Sequence, residues 1–315
     1  MIINKLCGVS KLIYNIKFLF LMCFCCVSQV TFAQQGMQYT QYMYDGSLIN
    51  PAYAGADEAL SISLLHRNQW SGLEGAPQSQ TFSAHSLFKR PQLGTGLFIH
   101  RESIGVHQNI QIATNLAYHL PVGYQKTLSF GIKAGVLNVR SDYQSLQNGN
   151  PDPTVNDEIF SGTDFNAGFG FYYKSEKLEL GYSIPSIINK TVNVNDSITL
   201  DPINLNHLLF SQYHFPAGNN FVLSPGFLIK YFQGTPLSYD LNILTTYKGV
   251  LTAGVSYRKQ ESVDFLLRFN LSSQFQVAYA YDYPIGSVSR LSQASNEIML
   301  RYIFKFKYNN VNSPQ

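Results

Sequence analysis

Cysteine is confined to the first 26 residues of this 315-residue chain. Cys23 and Cys26 have the spacing of a thioredoxin-like redox motif, but such a motif needs a βαβ setting that this region does not offer. A lipoprotein cysteine would follow a small residue, and none of these does. The four cysteines are Cys7, Cys23, Cys25 and Cys26. The rest of the chain therefore excludes disulfide and thiol chemistry.

Charge is also scarce, and neither sign dominates. Charged residues make up 13% of the chain, against about 25% in an average soluble protein. Residues 1–33 hold three of the 22 basic residues and none of the 19 acidic ones, so 22 − 3 = 19 basic residues face 19 acidic ones after residue 33. Without a basic excess there is no electrostatic basis for nucleic-acid binding. We expect no nucleic-acid partner.

No apolar run reaches the length of about 17–25 residues that a membrane-spanning helix needs. The apolar stretch at residues 18–27 follows three lysines and precedes small residues at positions 31 and 33. This is the pattern of a secretory signal peptide. We expect residues 1–33 to be that signal, with cleavage between Ala33 and Gln34. A retained membrane anchor is the alternative, and its apolar core would be too short to span.

Aromatic residues, in contrast, are abundant at 14% of the chain. In residues 297–308 they alternate with polar residues, which predicts a β-strand with one apolar and one polar face. The 12 residues of this run are close to the roughly 9–11 with which a tilted strand crosses a bilayer. Its apolar face carries Ile298, Leu300, Tyr302, Phe304, Phe306 and Tyr308. Aromatic faces of this kind are typical of outer-membrane barrels.

The same alternation recurs along the chain and predicts fourteen strands. They lie near residues 59–70, 78–88, 94–102, 106–119, 126–143, 164–174, 178–184, 207–215, 221–232, 238–247, 250–258, 263–271, 274–283 and 297–308. The long connections, at 144–163, 185–206 and 284–296, all follow odd-numbered strands. Outer-membrane barrels have this asymmetry of short periplasmic turns and long outer loops. A soluble β-sandwich, the alternative, has no reason for it.

We therefore predict an all-β fold, a transmembrane antiparallel β-barrel of about 14 strands in the outer membrane. The barrel would occupy residues 59–308, with both termini on the periplasmic side and a tail at 309–315. Outer-membrane lipid would surround it. In the late strands, the polar residues occupy the alternate positions that would face the lumen. Charged side chains there would either pair across neighbouring strands or be solvated by water in the lumen. These charges are Asp264, Arg268, Asp282, Arg301 and Lys305.

Residues 34–58, ahead of the first predicted strand, do not alternate. Asn50-Pro51 and Ala54-Gly55 mark turns, and proline disfavours a central strand. A barrel of this strand number has a lumen that side chains alone need not fill. We expect the segment to enter the barrel as a plug and to contact the lumen through Asn50, Pro51, Tyr53 and Gly55. A flexible periplasmic tail is the alternative.

Arg67, Gln69 and Trp70 end the first predicted strand on its outer side, and Trp70 is the single tryptophan of the chain. Tryptophan is common as an anchor at membrane boundaries. Tryptophan and arginine are also frequent binding hot spots. We predict that these three residues bind a partner protein, with interfacial anchoring as the alternative role of Trp70.

Motifs for chemistry are missing. The histidines lack metal-ligand spacings such as His-x-x-x-His. The pairs Gly94/Gly96 and Gly168/Gly170 lack the third glycine and the helix of a dinucleotide site, and there is no Gly-x-Ser-x-Gly elbow. We expect no enzyme activity, no cofactor and no metal. Glycines within strands more often mark close packing or bends than a binding site.

Three ordered stretches resemble the PorP/SprF family. They are QYMYDGSLINPAYAG at 41–55, HRNQW at 66–70 followed by Pro77 and Thr81, and YDYPIG at 281–286 followed by NEIMLRY at 296–302. The likeness covers essentially the whole chain after the signal. Asn296 departs from the family pattern, in which a histidine is expected before the glutamate. Any role of that histidine is therefore not assigned to this chain.

The resemblance implies an outer-membrane component of the type IX secretion system of Bacteroidetes. Family members act with other components of that system. They are partners of exported surface proteins, including gliding adhesins, and help to secrete or retain cargo that carries a type B C-terminal sorting domain. We expect binding of such a client through the outer loops and the barrel mouth. A channel or transporter for small or hydrophobic solutes is the alternative function.

Overall fold

The computed structural model describes residues 37–88, 92–143, 159–187, 205–232, 235–286, 289 and 293–304. They belong to one compact unit, Gly36–Gln315. Two short 3-10 helices, Gly46–Leu48 and Pro51–Tyr53, precede the first strand. No helix in the described ranges is both long and apolar enough to cross a membrane.

The strands are β1 (Leu60–Asn68), β2 (Gln78–Phe88), β3 (Leu93–Ile104), β4 (His107–Gly123), β5 (Lys126–Asp142), β6 (Ile159–Lys174), β7 (Leu178–Ile184), β8 (Asn206–Tyr213), β9 (Phe215–Ala217), β10 (Phe221–Phe232), β11 (Ser238–Tyr247), β12 (Leu251–Arg258), β13 (Ser262–Asn270), β14 (Phe275–Pro284) and β15 (Ser295–Phe304).

These strands form one antiparallel sheet that closes on itself. β1 pairs with β2 and with β15, and β10 pairs with β8 and with β11. β8 and β9 both pair with β10 and are two pieces of one strand, interrupted at His214. The sheet is therefore a closed 14-strand antiparallel barrel, which confirms the predicted fold.

The alternation of the sequence matches the two faces of the barrel wall. In β4, Gln111 and Asn115 are buried while Ile112 and Leu116 are 45% and 44% exposed. Apolar side chains that face outward from a barrel wall are typical of a surface in contact with lipid. Polar side chains on the inner face can instead bond with one another and with whatever occupies the lumen. The protein is a multi-pass outer-membrane barrel.

The two ends of the barrel differ in the length of their connections. One end, the turn end, carries tight connections such as Tyr124–Gln125 between β4 and β5. The other, the loop end, carries residues 69–77 and 285–294 and the connections of β5 to β6 and of β7 to β8. In outer-membrane barrels the long loops face the cell exterior. The loop end is therefore the outer end.

Several predicted boundaries shift or lie outside the described residues. β1 ends at Asn68, two residues before the predicted end, and Trp70 has a left-handed backbone with φ of 53°. The expected signal at 1–33 with its Ala33–Gln34 cleavage site, Lys305 and the tail at 309–315 lie outside the described residues.

The hydrophobic core lies inside the barrel rather than between layers. Residues 39–54 contribute buried tyrosines and aliphatic side chains, and lumen-facing strand residues complete the cluster. Small inward side chains on the first two strands leave room for this segment. They include Ser61, Ser63, Ser79, Thr81 and Ser83, all of them buried.

Candidate functional site

The N-terminal segment, residues 37–59, runs along the lumen from the loop end to the turn end. Near its start, Tyr39 hydrogen-bonds Thr81 and His100, which lie toward the loop end of β2 and β3. Near its finish, the carbonyl oxygen of Ala54 lies 2.7 Å from Nε2 of His119, toward the turn end of β4. Its first described residues thus lie at the outer end, whereas we expected the segment to start on the periplasmic side.

A buried group of charges at the loop end holds the start of this segment. We call it the mouth cluster; it comprises Arg67, Asp240, Arg258, Asp264, Asp282 and Glu297. Arg67 pairs with Asp282 at 2.8 Å and with Glu297 at 3.2 Å. The Glu297 carboxylate also accepts the backbone N–H groups of Thr40 and Gln41 at 3.0 and 2.8 Å. One carboxylate therefore joins the barrel wall to the segment.

Arg258 is the second centre of the mouth cluster. Its guanidinium lies 3.5 Å from a carboxylate oxygen of Asp240 and of Asp264, and 3.7 Å from one of Asp282. Asp264 and Asp282 are directly opposite on β13 and β14, and like charges in that register repel. The Arg258 guanidinium offsets this repulsion, because it lies against both. Arg258 also donates to the Thr40 hydroxyl at 3.0 Å.

A second polar group lies nearer the turn end. We call it the lower cluster; it comprises Asp45, Asp57, His85 and Arg301. Arg301 donates to the Asp57 carboxylate and to the carbonyl oxygen of Tyr44. Burial by itself would raise the pKa of the Asp57 carboxyl, but the Arg301 guanidinium beside it and the neighbouring His85 outweigh burial, so that pKa lies below its ordinary value. Asp45 likewise has a lowered pKa against the effect of burial, through His85 and Arg301. Both carboxylates stay charged at neutral pH.

Glycines on the inward face let the segment approach the wall. A Cβ built on Gly131 would overlap the backbone of Ala52, and one on Gly170 would overlap the Asn50 side chain. Any side chain at these two strand positions would therefore push the segment away. The sequence indicated close packing at strand glycines, but it could not indicate what packs there.

The four residues predicted to contact the lumen lie on this segment. Asn50 caps the second 3-10 helix by accepting from the Ala52 N–H at 2.9 Å, and it donates to the carbonyl oxygen of Phe171 at 2.8 Å. Pro51 starts the helix, which suits its fixed φ and missing N–H. Tyr53 packs edge-on against His85 and Tyr172.

Gly55 of the same set has a φ of 88°, which favours glycine. Its N–H donates to Nδ1 of His85 at 3.1 Å.

Four of the five predicted lumen charges are described, and all face inward. Asp264 and Asp282 belong to the mouth cluster and Arg301 to the lower cluster, so these charges pair across strands rather than only line water. Arg268 lies over the Tyr44 ring, with its guanidinium carbon 4.5 Å from the ring centre.

The three residues predicted to bind a partner differ in their exposure to solvent. Arg67 is 2% exposed and Gln69 is 8% exposed. Arg67 is engaged in the mouth cluster, and Gln69 donates to the Gln38 side chain at 3.3 Å. Both therefore contact the N-terminal segment. Trp70 is half-buried, and its backbone N–H donates to the Ser295 hydroxyl at 3.0 Å. Partner binding by these residues stays a prediction.

Sequence reasoning missed Thr40, Gln41, Arg258 and Glu297 as site residues. The strand parity carried a signal for two of them, because Glu297 shares the inward parity of Arg301, and Arg258 follows the inward positions Thr252 and Ser256. Nothing local marked Thr40 or Gln41. The carboxylates that accept their hydrogen bonds lie more than 200 positions away in the chain.

The fold is similar to solved outer-membrane proteins. The CymD monoaromatic hydrocarbon channel aligns with a TM-score of 0.53 at 12% identity, over 83% of this chain and 92% of CymD. Omp33 of Acinetobacter baumannii aligns at 0.47 and 6% identity, over 78% and 98%. The toluene transporter TbuX of Ralstonia pickettii aligns at 0.48 and 11%, over 82% and 93%. At such low sequence identity, the similarity to CymD supports the fold and no further property.

Among curated proteins, no sequence matches this chain. A family model does, and it is described as the type IX secretion system membrane protein PorP/SprF. The match runs over residues 31–302, which includes the N-terminal segment and nearly every described strand position. Family members are outer-membrane components of a secretion system and interact with its other components, and the family is not an enzyme family. The chain belongs to the PorP/SprF family of type IX secretion system membrane proteins.

Proposed function

We propose that this barrel binds a secreted surface protein at its loop end, and helps to export or anchor it while the N-terminal segment closes the lumen as a plug. The client class that the family suggests is a gliding adhesin-like cargo with a type B C-terminal domain, in a gliding member of the Bacteroidetes. The barrel itself performs no catalysis in this proposal and uses no cofactor.

The observation that carries the proposal is the occupied lumen. The segment is fixed at its start by the mouth cluster and at its finish by the lower cluster. Tyr42 and Gln41 within it are 1% and 0% exposed. Breaking a buried ion pair costs about 3–5 kcal/mol, so the segment is not expected to leave without a partner that replaces these contacts.

The same observation disfavours the alternative, a channel or transporter for small or hydrophobic solutes. The hydrocarbon channel CymD has a similar fold, but one fold can have many functions. The similarity therefore does not assign hydrocarbon transport to this chain. A solute path would have to pass beside the N-terminal segment, through the space that its buried tyrosines fill. We therefore place protein binding before solute transport.

Client binding is most accessible at Trp70. Of the three predicted partner-binding residues, it is the one that is not buried. Its left-handed backbone turns the chain out of β1 into the 69–77 connection. A tryptophan presented in this way can supply the large apolar contact that protein interfaces use.

The experiment is deletion of the gene, complemented with wild-type or Trp70→Asn protein carrying an affinity tag. Asparagine tolerates the left-handed backbone. Deletion should remove one surface protein from the cells, and that protein should copurify with wild type and be reduced at least about fivefold with Trp70→Asn, the effect of roughly 1 kcal/mol. Tyr124→Asn at the turn end, where Tyr124 is 89% exposed, is the matched control.

Two outcomes would contradict the proposal. One is an unchanged set of surface proteins in the deletion strain. The other is solute uptake by liposomes that contain the purified wild-type barrel, which would support the transporter.

A further inference from the structure

The outward face of β1, β2 and β3 changes from apolar to polar between two adjacent rows of paired residues. Leu64, Phe82 and Ile99 form one row. The next outward row toward the loop end contains His66, Gln80 and Arg101. Outward rows are two residues apart, or about 7 Å. On these three strands the apolar band ends at this step, on the side of the outer leaflet, since the loop end is the outer end.

A groove of about 340 Å³ crosses this boundary. Its apolar part is lined by Leu64, Phe82 and Ile99, together with Leu300 of β15, which is opposite Leu64. Ile298 of β15 also lines the groove and is opposite His66 in the polar row. Leu64 and Leu300 are 51% and 40% exposed. Exposed apolar surface on a lipid-facing wall contacts the acyl chains of lipids. The groove could hold one acyl chain in a defined position.

The polar part of the same groove carries a cation without a counter-charge. Arg101 is exposed, and no carboxylate of the described residues forms an ion pair with it. His66 lies beside it in the same row, with Nδ1 3.4 Å from the Gln80 amide nitrogen. An arginine fork binds phosphate through two parallel N–H groups.

We propose that this groove is a binding site for an anionic membrane lipid that carries a phosphate. One acyl chain would lie on Leu64, Phe82 and Leu300, and the phosphate would contact Arg101, with Gln80 and His66 as further hydrogen-bond donors. The occupant is a lipid rather than a protein segment, because the apolar part lies below the boundary row, at the depth of acyl chains. Client binding at Trp70 is a separate property.

The test is a native mass spectrometry titration of the full-length barrel in a neutral detergent with dioleoylphosphatidylglycerol. Dioleoylglycerol, which has the same chains and no phosphate, is the comparison lipid. Arg101→Gln should weaken phosphatidylglycerol binding about fivefold, the effect of one exposed ion pair. Leu64→Trp should fill the groove and weaken binding of the same lipid by at least that factor.

Arg140→Gln is the matched control, because Arg140 is another exposed arginine on the loop-end part of the barrel, outside the groove. It should leave binding unchanged. All three substituted residues face outward, so a gel of unheated samples should show folded barrel for each variant. Equal binding of the two lipids would overturn the phosphate contact. Equal affinity of Arg101→Gln and wild type, or of Leu64→Trp and wild type, would overturn the site.

Discussion

Arg67 of β1 lies directly opposite Glu297 of β15, and the carboxylate of that glutamate also receives the backbone N–H groups of Thr40 and Gln41. The pair thus links the first and last strands of the barrel. It also holds the N-terminal segment, which precedes β1 in the chain. Glu297 is fully buried. Its loss would leave the two buried N–H groups without this acceptor, and Arg67 would keep Asp282 as its carboxylate partner.

Replacing Glu297 tests this double role. Glu297→Ala should lower the free energy of unfolding by at least about 1–3 kcal/mol, because the buried N–H groups of Thr40 and Gln41 lose their acceptor. The measurement is urea unfolding of the barrel, followed by the loss of the folded band on unheated gels. Glu176→Ala, at an exposed turn-end residue, should change little. Equal unfolding midpoints for the two variants would contradict the anchoring role.

Close packing at Gly131 gives a second prediction. Gly131→Ala should displace the N-terminal segment near Ala52, since the new methyl group would overlap its backbone. We expect single-channel current in planar bilayers to appear or rise at least severalfold relative to wild type. Gly123→Ala meets only ordinary contacts of 3.5 Å and more, and it should behave as wild type. If the Gly131 variant stays as silent as the Gly123 variant, the segment does not control the lumen there.

The direction of the segment predicts where its start is accessible. An epitope inserted between Gly36 and Met37 should bind antibody on intact cells, because the first described residues lie at the loop end. The same epitope inserted between Tyr124 and Gln125, in the β4–β5 turn, should be detected only after permeabilisation. Detection of both only after permeabilisation would mean that the start of the segment faces the periplasm.

Docking of the segment should depend on pH through Asp57. Its pKa is lowered in the docked state, while an undocked aspartate titrates near about 3.9. The carboxylate therefore stabilises docking fully above that ordinary value, and this contribution is lost as pH falls through the lowered pKa. Hydrogen exchange of residues 39–57, corrected for intrinsic rates, should show protection that drops between pH 6 and pH 3.

Asp57→Asn provides the comparison for this pH effect. It should weaken protection at pH 6, because the Arg301 charge loses its partner. It should also reduce the pH dependence, leaving the part that Asp45 contributes. An Asn variant with the wild-type pH profile would assign the effect to other carboxylates.

Much of the barrel could be predicted from the chain alone. Side chains alternate at each strand residue, so the pattern of Ile112, Asn115 and Leu116 already indicates which side faces lipid. The inward position of Asp264, Asp282 and Arg301 followed from the same parity. The split of one strand at His214 did not, since local hydrogen bonding and not hydrophobic pattern decides it.

The sequence by itself therefore determined the strands, their faces and the closed wall, because a period of two is a local property that lipid on one side enforces. Only the tertiary structure decided which charges meet and in which direction the N-terminal segment runs. Thr40 and Glu297 are 257 positions apart, and contacts at such separation depend on how the closed sheet brings its first and last strands together. That geometry turned Arg67 from a predicted surface residue into part of the mouth cluster.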